Sequence, residues 1–173
     1  MFPGVAMFIK LALREALLFI LCLLCWRLDA ALRPQGGVFA FGGALLAALS
    51  TVLVAFLAHE WGHLAGAWAR GSVVYPPRSL RSVFVFYFDT DRNSGNQFVA
   101  MSLGGFATSA LGVALLIAIL PLDAWSGRIA LALVGIGVIA TLILEVPAAW
   151  KVARGAPLPR GPERPQLEGA RTV

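Results

Sequence analysis

Apolar residues in this chain come in long blocks rather than alternating with polar ones. Four such blocks cover positions 8–26, 38–68, 98–120 and 129–150; the third is stopped by Pro121. A bilayer core about 30 Å thick is crossed by about 20 mostly apolar residues in a helix. The blocks are long, rich in Ala and Leu and free of period-two alternation, which argues against barrel strands. The pattern predicts four transmembrane helices. The first is the least apolar, carrying Lys10, Arg14 and Glu15 in its first half, and the fourth is interrupted by Glu145 and Pro147. The first block also reads as a signal peptide, with a basic start, an apolar stretch over 16–26 and Leu28-Asp29-Ala30 as a small-residue cleavage pattern. On either reading the second helix begins outside and runs inward.

Composition narrows the class. Of 173 residues, 59% are apolar and 13% charged, with a mean hydropathy of +0.81, where a soluble domain averages about 45–50% and about 25%. There is too little polar surface to coat a soluble globule, and the chain is too apolar for a disordered one. Two cysteines do not make a disulfide scaffold; Cys22 and Cys25 read as small packing residues. The fold expected is an all-α integral membrane protein of four transmembrane helices with a short β-hairpin between the second and third. Residues 1–37 form an additional helix and outer loop, 38–150 a three-helix core, and 151–173 a disordered, basic cytoplasmic tail.

The net charge of +5 and pI near 10.0 bear on topology and not on nucleic acid, which needs a basic face on a soluble fold. Arg27, Arg33 and Arg128 fall in outer loops, while every other Lys and Arg falls in segments on the opposite side. That imbalance places both termini in the cytoplasm, as in a multi-pass protein of a bacterial inner or plasma membrane, surrounded by lipid.

Both histidines of the chain sit in one pentapeptide, His59-Glu60-Trp61-Gly62-His63. On a helix, positions i and i+4 share a face, so the two imidazoles can hold one Zn²⁺, with Glu60 placed to act as general base toward the attacking water. The plainer reading, satisfied core histidines with a structural glutamate, fares poorly within a span, where an ionisable group costs about 2.5–3.5 kcal/mol. A catalytic zinc usually takes three protein ligands. Asp123 lies in the outer loop, most of a bilayer away. Glu145 lies six residues before Lys151 and His63 seven before Arg70, which puts both roughly 10 Å below those basic residues. Glu145 is therefore the expected third ligand and Glu15 the fallback. Pro147 lacks an N–H and collides with the carbonyl of Ile143, so the fourth helix is expected to kink or unwind around Glu145, or to end there.

A His-Glu-x-Gly-His pattern inside a transmembrane helix, followed by a short extended segment and a glycine-bearing helix, resembles the site-2 protease family of intramembrane zinc metalloproteases. The likeness covers roughly residues 38–150. It implies His59 and His63 as ligands of one zinc, Glu60 as the catalytic glutamate, and a β-rich segment whose strands would be 72–75 and 82–89. Ser102-Leu103-Gly104-Gly105-Phe106-Ala107-Thr108-Ser109 looks like a relaxed version of the family's next helix start, with Gly105 where proline is common. The family's third ligand is an aspartate in a Leu-Asp-Gly motif. Leu122-Asp123 imitates it one span too early, and Leu144-Glu145-Val146-Pro147 stands at the expected place.

The implied activity is a zinc endopeptidase that cleaves transmembrane segments of other membrane proteins near the cytoplasmic face. The alternative is a non-proteolytic protein of the same fold with a structural zinc, acting by binding partners; a metal carrier is disfavoured, and oligomeric state is left open. Thr108 and Ser109 can donate hydrogen bonds to a substrate or to Glu145, or can simply pack helices. Gly104, Gly105, Ala107 and Gly112 fit close packing against the second helix. The segment 82–88, apolar on both faces and carrying Phe86 as a candidate substrate contact, can offer an edge that a substrate segment joins. Asn93-Ser94-Gly95-Asn96 reads as a turn.

Overall fold

The structure, a computed structural model, describes residues 3–159. It contains four helices, α1 (Pro3–Leu32), α2 (Gly37–Ala69), α3 (Gly95–Ile119) and α4 (Trp125–Ala153), and a two-stranded sheet of β1 (Val74–Tyr75) and β2 (Tyr87–Phe88). Among the described residues, α2, α3 and α4 are long and apolar enough to cross a membrane. α1 does not join them, because its apolar stretch is broken by Lys10, Arg14, Glu15, Arg27 and Asp29. Residues 151–153, assigned above to the tail, continue α4; 160–173 lie outside the described residues.

The helices run alternately up and down. α1 turns into α2 through a single 3-10 turn, Arg33–Gln35, and Gly36 and Gly37, both at positive φ, a conformation open to glycine without a Cβ clash. At that end Arg33 pairs with the buried Asp29 (2.6 Å) and reaches Ser126 at the start of α4 (3.4 Å). Leu28-Asp29-Ala30 lies within α1. Asp123 lines a cavity at this same end.

The opposite end is tied more tightly. Gly71, at φ 63°, ends α2 in a left-handed turn, and Ser72 N–H donates back to Ala67 O at 2.9 Å, the bond pattern of a Schellman cap. The Asn93 side chain pairs with both the N–H and the C=O of Val73 (2.7 and 2.8 Å). Ser94 caps α3 in a reciprocal box with Gln97, and the Gln97 amide donates to the carbonyls of Arg70 and Gly71. Gly95 and Asn96, expected in a turn, are therefore the first residues of α3, because the cap forms one residue earlier.

The expected strands over 72–75 and 82–89 shrink to two residues each, paired antiparallel as Val74 with Phe88 and Tyr75 with Tyr87. The cause is burial. Val85 and Phe86 are buried with Leu11, Leu64 and Ala67 in one apolar cluster, flanked by Phe8, Trp61 and Met101. Arg14 donates to the carbonyls of Leu80 and Ser82, occupying acceptors that a longer ladder would use. Pro147 sits inside α4, which continues through it to Ala153, so the expected unwinding or stop does not occur.

α2 meets α3 through glycine. A Cβ on Gly62 would overlap Thr108 and the Gly104 carbonyl, one on Gly66 the Ala100 carbonyl, and one on Gly104 the backbone of Gly62 and Gly66. Small residues at such a spacing let backbones approach, which drives helix association in lipid. Gly104 and Gly105 serve this crossing as expected, whereas Ala107 is exposed and a Cβ on Gly112 meets nothing within 4 Å. On the other flank of α2, Trp26 Nε1–H donates to Thr51 Oγ1 (2.9 Å), with Cys22 Sγ 3.8 Å from the same oxygen. Both cysteines are free.

Candidate metal centre

The glycine crossing brings α3 carbonyls against the α2 histidines. His59 Nδ1 lies 3.0 Å from Gly105 O, and His63 Nδ1 lies 2.9 Å from Met101 O. A carbonyl oxygen only accepts, so each ring carries its proton on Nδ1 and donates it. Ser109 Oγ, 2.9 Å from His59 Nδ1, is a second neighbour of that N–H. The two Nε2 atoms are then lone-pair bearing, and they face each other at 2.9 Å.

Glu145 completes the group from α4. Its carboxylate oxygens lie 3.6 Å from His59 Nε2 and 3.1 Å from His63 Nε2. Three acceptors thus converge, an arrangement that a metal cation or a shared proton at its centre would satisfy. A tetrahedral zinc with bonds of about 2.0–2.1 Å holds its ligand atoms about 3.3 Å apart, and the observed separations bracket that distance. Imidazole ligands that donate their other nitrogen to a carbonyl are usual at such sites, since that bond fixes tautomer and ring orientation.

Ligating atoms of His59, Glu60 and His63 gather within 4.8 Å of one another in a buried group able to hold a metal ion. Two carboxylates therefore flank one histidine pair. Glu145 contacts both Nε2 atoms, whereas Glu60 has the Val85 backbone amide as neighbour.

The other candidates are placed as follows. Glu15 pairs with Arg14, its own neighbour, and lines a groove between α1 and α2 with Phe19 and Trp61, so the fallback ligand is engaged elsewhere. Asp123 is at the far end. Thr108 Oγ1 donates to Gly104 O at 2.9 Å within its own helix, and Ser109 faces His59, so neither hydroxyl bonds Glu145. Phe86 belongs to the buried cluster and also lines a cavity of about 320 Å³ with Glu60, His63 and Glu145.

Two features escaped the sequence reading. Gly62 and Gly66 set the helix crossing, and their four-residue spacing was a usable signal. The carbonyls of Met101 and Gly105 fix the imidazoles, and main-chain acceptors leave no mark in a sequence. No family model, curated protein or solved structure matches the chain.

Proposed function

We propose that this chain is an intramembrane zinc metalloendopeptidase of the site-2 protease kind, cutting transmembrane segments of other proteins near the cytoplasmic face. The observation that carries the reading is the convergence of two Nε2 lone pairs and the Glu145 carboxylate, inside apolar helices, with a second carboxylate within reach. Placing such groups in a bilayer is costly, and a bound dication offsets that cost. His59, His63 and Glu145 would hold the zinc, which when bound polarises a peptide carbonyl and acidifies water. Glu60 takes the proton of the attacking water and returns it to the leaving amine nitrogen. The Phe86–Phe88 strip, which lines the cavity beside Glu60, holds the substrate backbone extended, as peptide-bond attack requires. In this reading α1 is a fourth span and both termini are cytoplasmic, consistent with Arg70 and Lys151 at helix ends and Arg78 and Arg81 in the segment between β1 and β2 on the same side.

The test is Glu60→Gln, with wild type, in vesicles containing single-span substrate proteins. We expect about one zinc per chain in both, and cleavage fragments by mass spectrometry from wild type only. Equal fragment yields from the two proteins would refute the catalytic role. One zinc per chain with no fragments from either would favour a structural metal.

A further inference from the structure

The imidazole pair stands between two cavities. One is the 320 Å³ space beside Glu60 and the Phe84–Phe88 strip. The other, about 400 Å³, lies among α2, α3 and α4 on the far side of His59, and runs along α2 from Leu49 to that histidine, a length of roughly 15 Å. Its walls are apolar side chains, with hydroxyls only at Ser109, Thr108 and Thr141. A volume of that order suits a large side chain or two. Gly112 and Gly137 form part of its wall, and a Cβ on either meets nothing within 4 Å.

We propose that this second cavity is a specificity pocket, taking a bulky apolar side chain (Leu, Phe or larger) of the substrate residue on the membrane-interior side of the cleaved bond. This rests on the endopeptidase reading. The occupant is a peptide side chain and not a lipid tail because the pocket ends on His59 itself. The Ser109 hydroxyl and Thr141, one helical turn before Glu145, lie at that same end. A substrate backbone passing the imidazoles can use those hydroxyls, and a hydrocarbon chain cannot. The two cavities then accept the two sides of one extended segment, the interior side by apolar fit and the cytoplasmic side along the 84–88 strip.

The test uses Gly112→Leu and Gly137→Leu, which fill the pocket from its own walls. Both replace a helical glycine by a better helix former, so folding is not the issue, and zinc content reports that the centre is intact. Single-span peptides carrying Phe, Leu or Ala at the interior-side position are compared in two assays: cleavage by the active protein, and binding to the Glu60→Gln form. Wild type should favour Phe and Leu over Ala by about tenfold or more. In the filled variants that ratio should fall to near one, with zinc retained and the Ala peptide still accepted. An unchanged preference for large residues in both variants overturns the pocket while leaving the endopeptidase intact. A size preference in binding that the Leu variants abolish, with no peptide ever cut, upholds the pocket and removes the endopeptidase.

Discussion

Gly105→Ala tests the centre through a helix that supplies no ligand. A Cβ at this position would stand 2.5 Å from Nε2 and 2.6 Å from Nδ1 of His63, where ordinary contact begins at 3.4 Å. The ring must therefore retreat by about 0.9 Å or more, or α3 must withdraw from α2. Metal–ligand distances tolerate about 0.2 Å, so the displacement exceeds what a bound zinc can absorb. The ring is also held by Met101 O at 2.9 Å, and moving it weakens that bond. Overpacking of this kind costs about 1–3 kcal/mol, which at about 1.4 kcal/mol per decade is a loss of about 5- to 150-fold in zinc affinity. The assay is competition for zinc against a chromophoric chelator in detergent, with thermal unfolding measured in parallel. Gly135→Ala is the control, since a Cβ there meets nothing within 4 Å. Both substitutions improve helix propensity by nearly 1 kcal/mol, so a folded Gly105→Ala protein is expected. Wild-type zinc affinity in that protein would refute the packing argument and the ring placement with it.

Three further outcomes follow from the same geometry. Glu145→Ala should lower zinc stoichiometry well below one per chain at micromolar free metal, read by elemental analysis; full retention would transfer the third position to Glu60. Ser109→Ala should cost less than tenfold in zinc affinity, because Gly105 O still accepts the His59 N–H at 3.0 Å; a loss as large as that of Glu145→Ala would make the hydroxyl the dominant partner. Asp29→Ala removes the buried partner of Arg33 at the far end of the bundle and should lower stability by about 1–3 kcal/mol, seen in thermal unfolding, with zinc binding unchanged.

The three long apolar blocks predict α2, α3 and α4 closely because hydrophobic length alone fixes a span, and their ends differ by only a few residues. The 82–89 strand is misread for the opposite reason. Its Val-Phe-Val-Phe run is equally compatible with a strand and with a loop buried between helices, and the decision rests on Leu11 and Leu64, far away in sequence. Pro147 neither ends nor unwinds α4, which runs on to Ala153, since a single missing N–H removes one helical bond and leaves the rest. At the site, spacing puts His59 and His63 on one face and counting from basic residues puts Glu145 at their depth; the structure brings the three together. The tautomers depend on the main-chain carbonyls of Met101 and Gly105 and were not legible; the α2 half of the glycine crossing was legible in the Gly62 and Gly66 spacing but was missed.

Because the hydrogen-bond acceptors for both rings are peptide oxygens, exchange of side chains along α3 cannot delete them. The side chains at 101 and 105 are not themselves the acceptors, so these bonds survive substitution as long as Gly104 and Gly105 stay bare and α3 keeps its distance from α2. What does disturb them is rigid-body motion. A slide of α3 past α2 by one ångström would loosen both N–H anchors at once, so a membrane that set the tilt of these helices would also control how firmly the proposed centre could keep an ion.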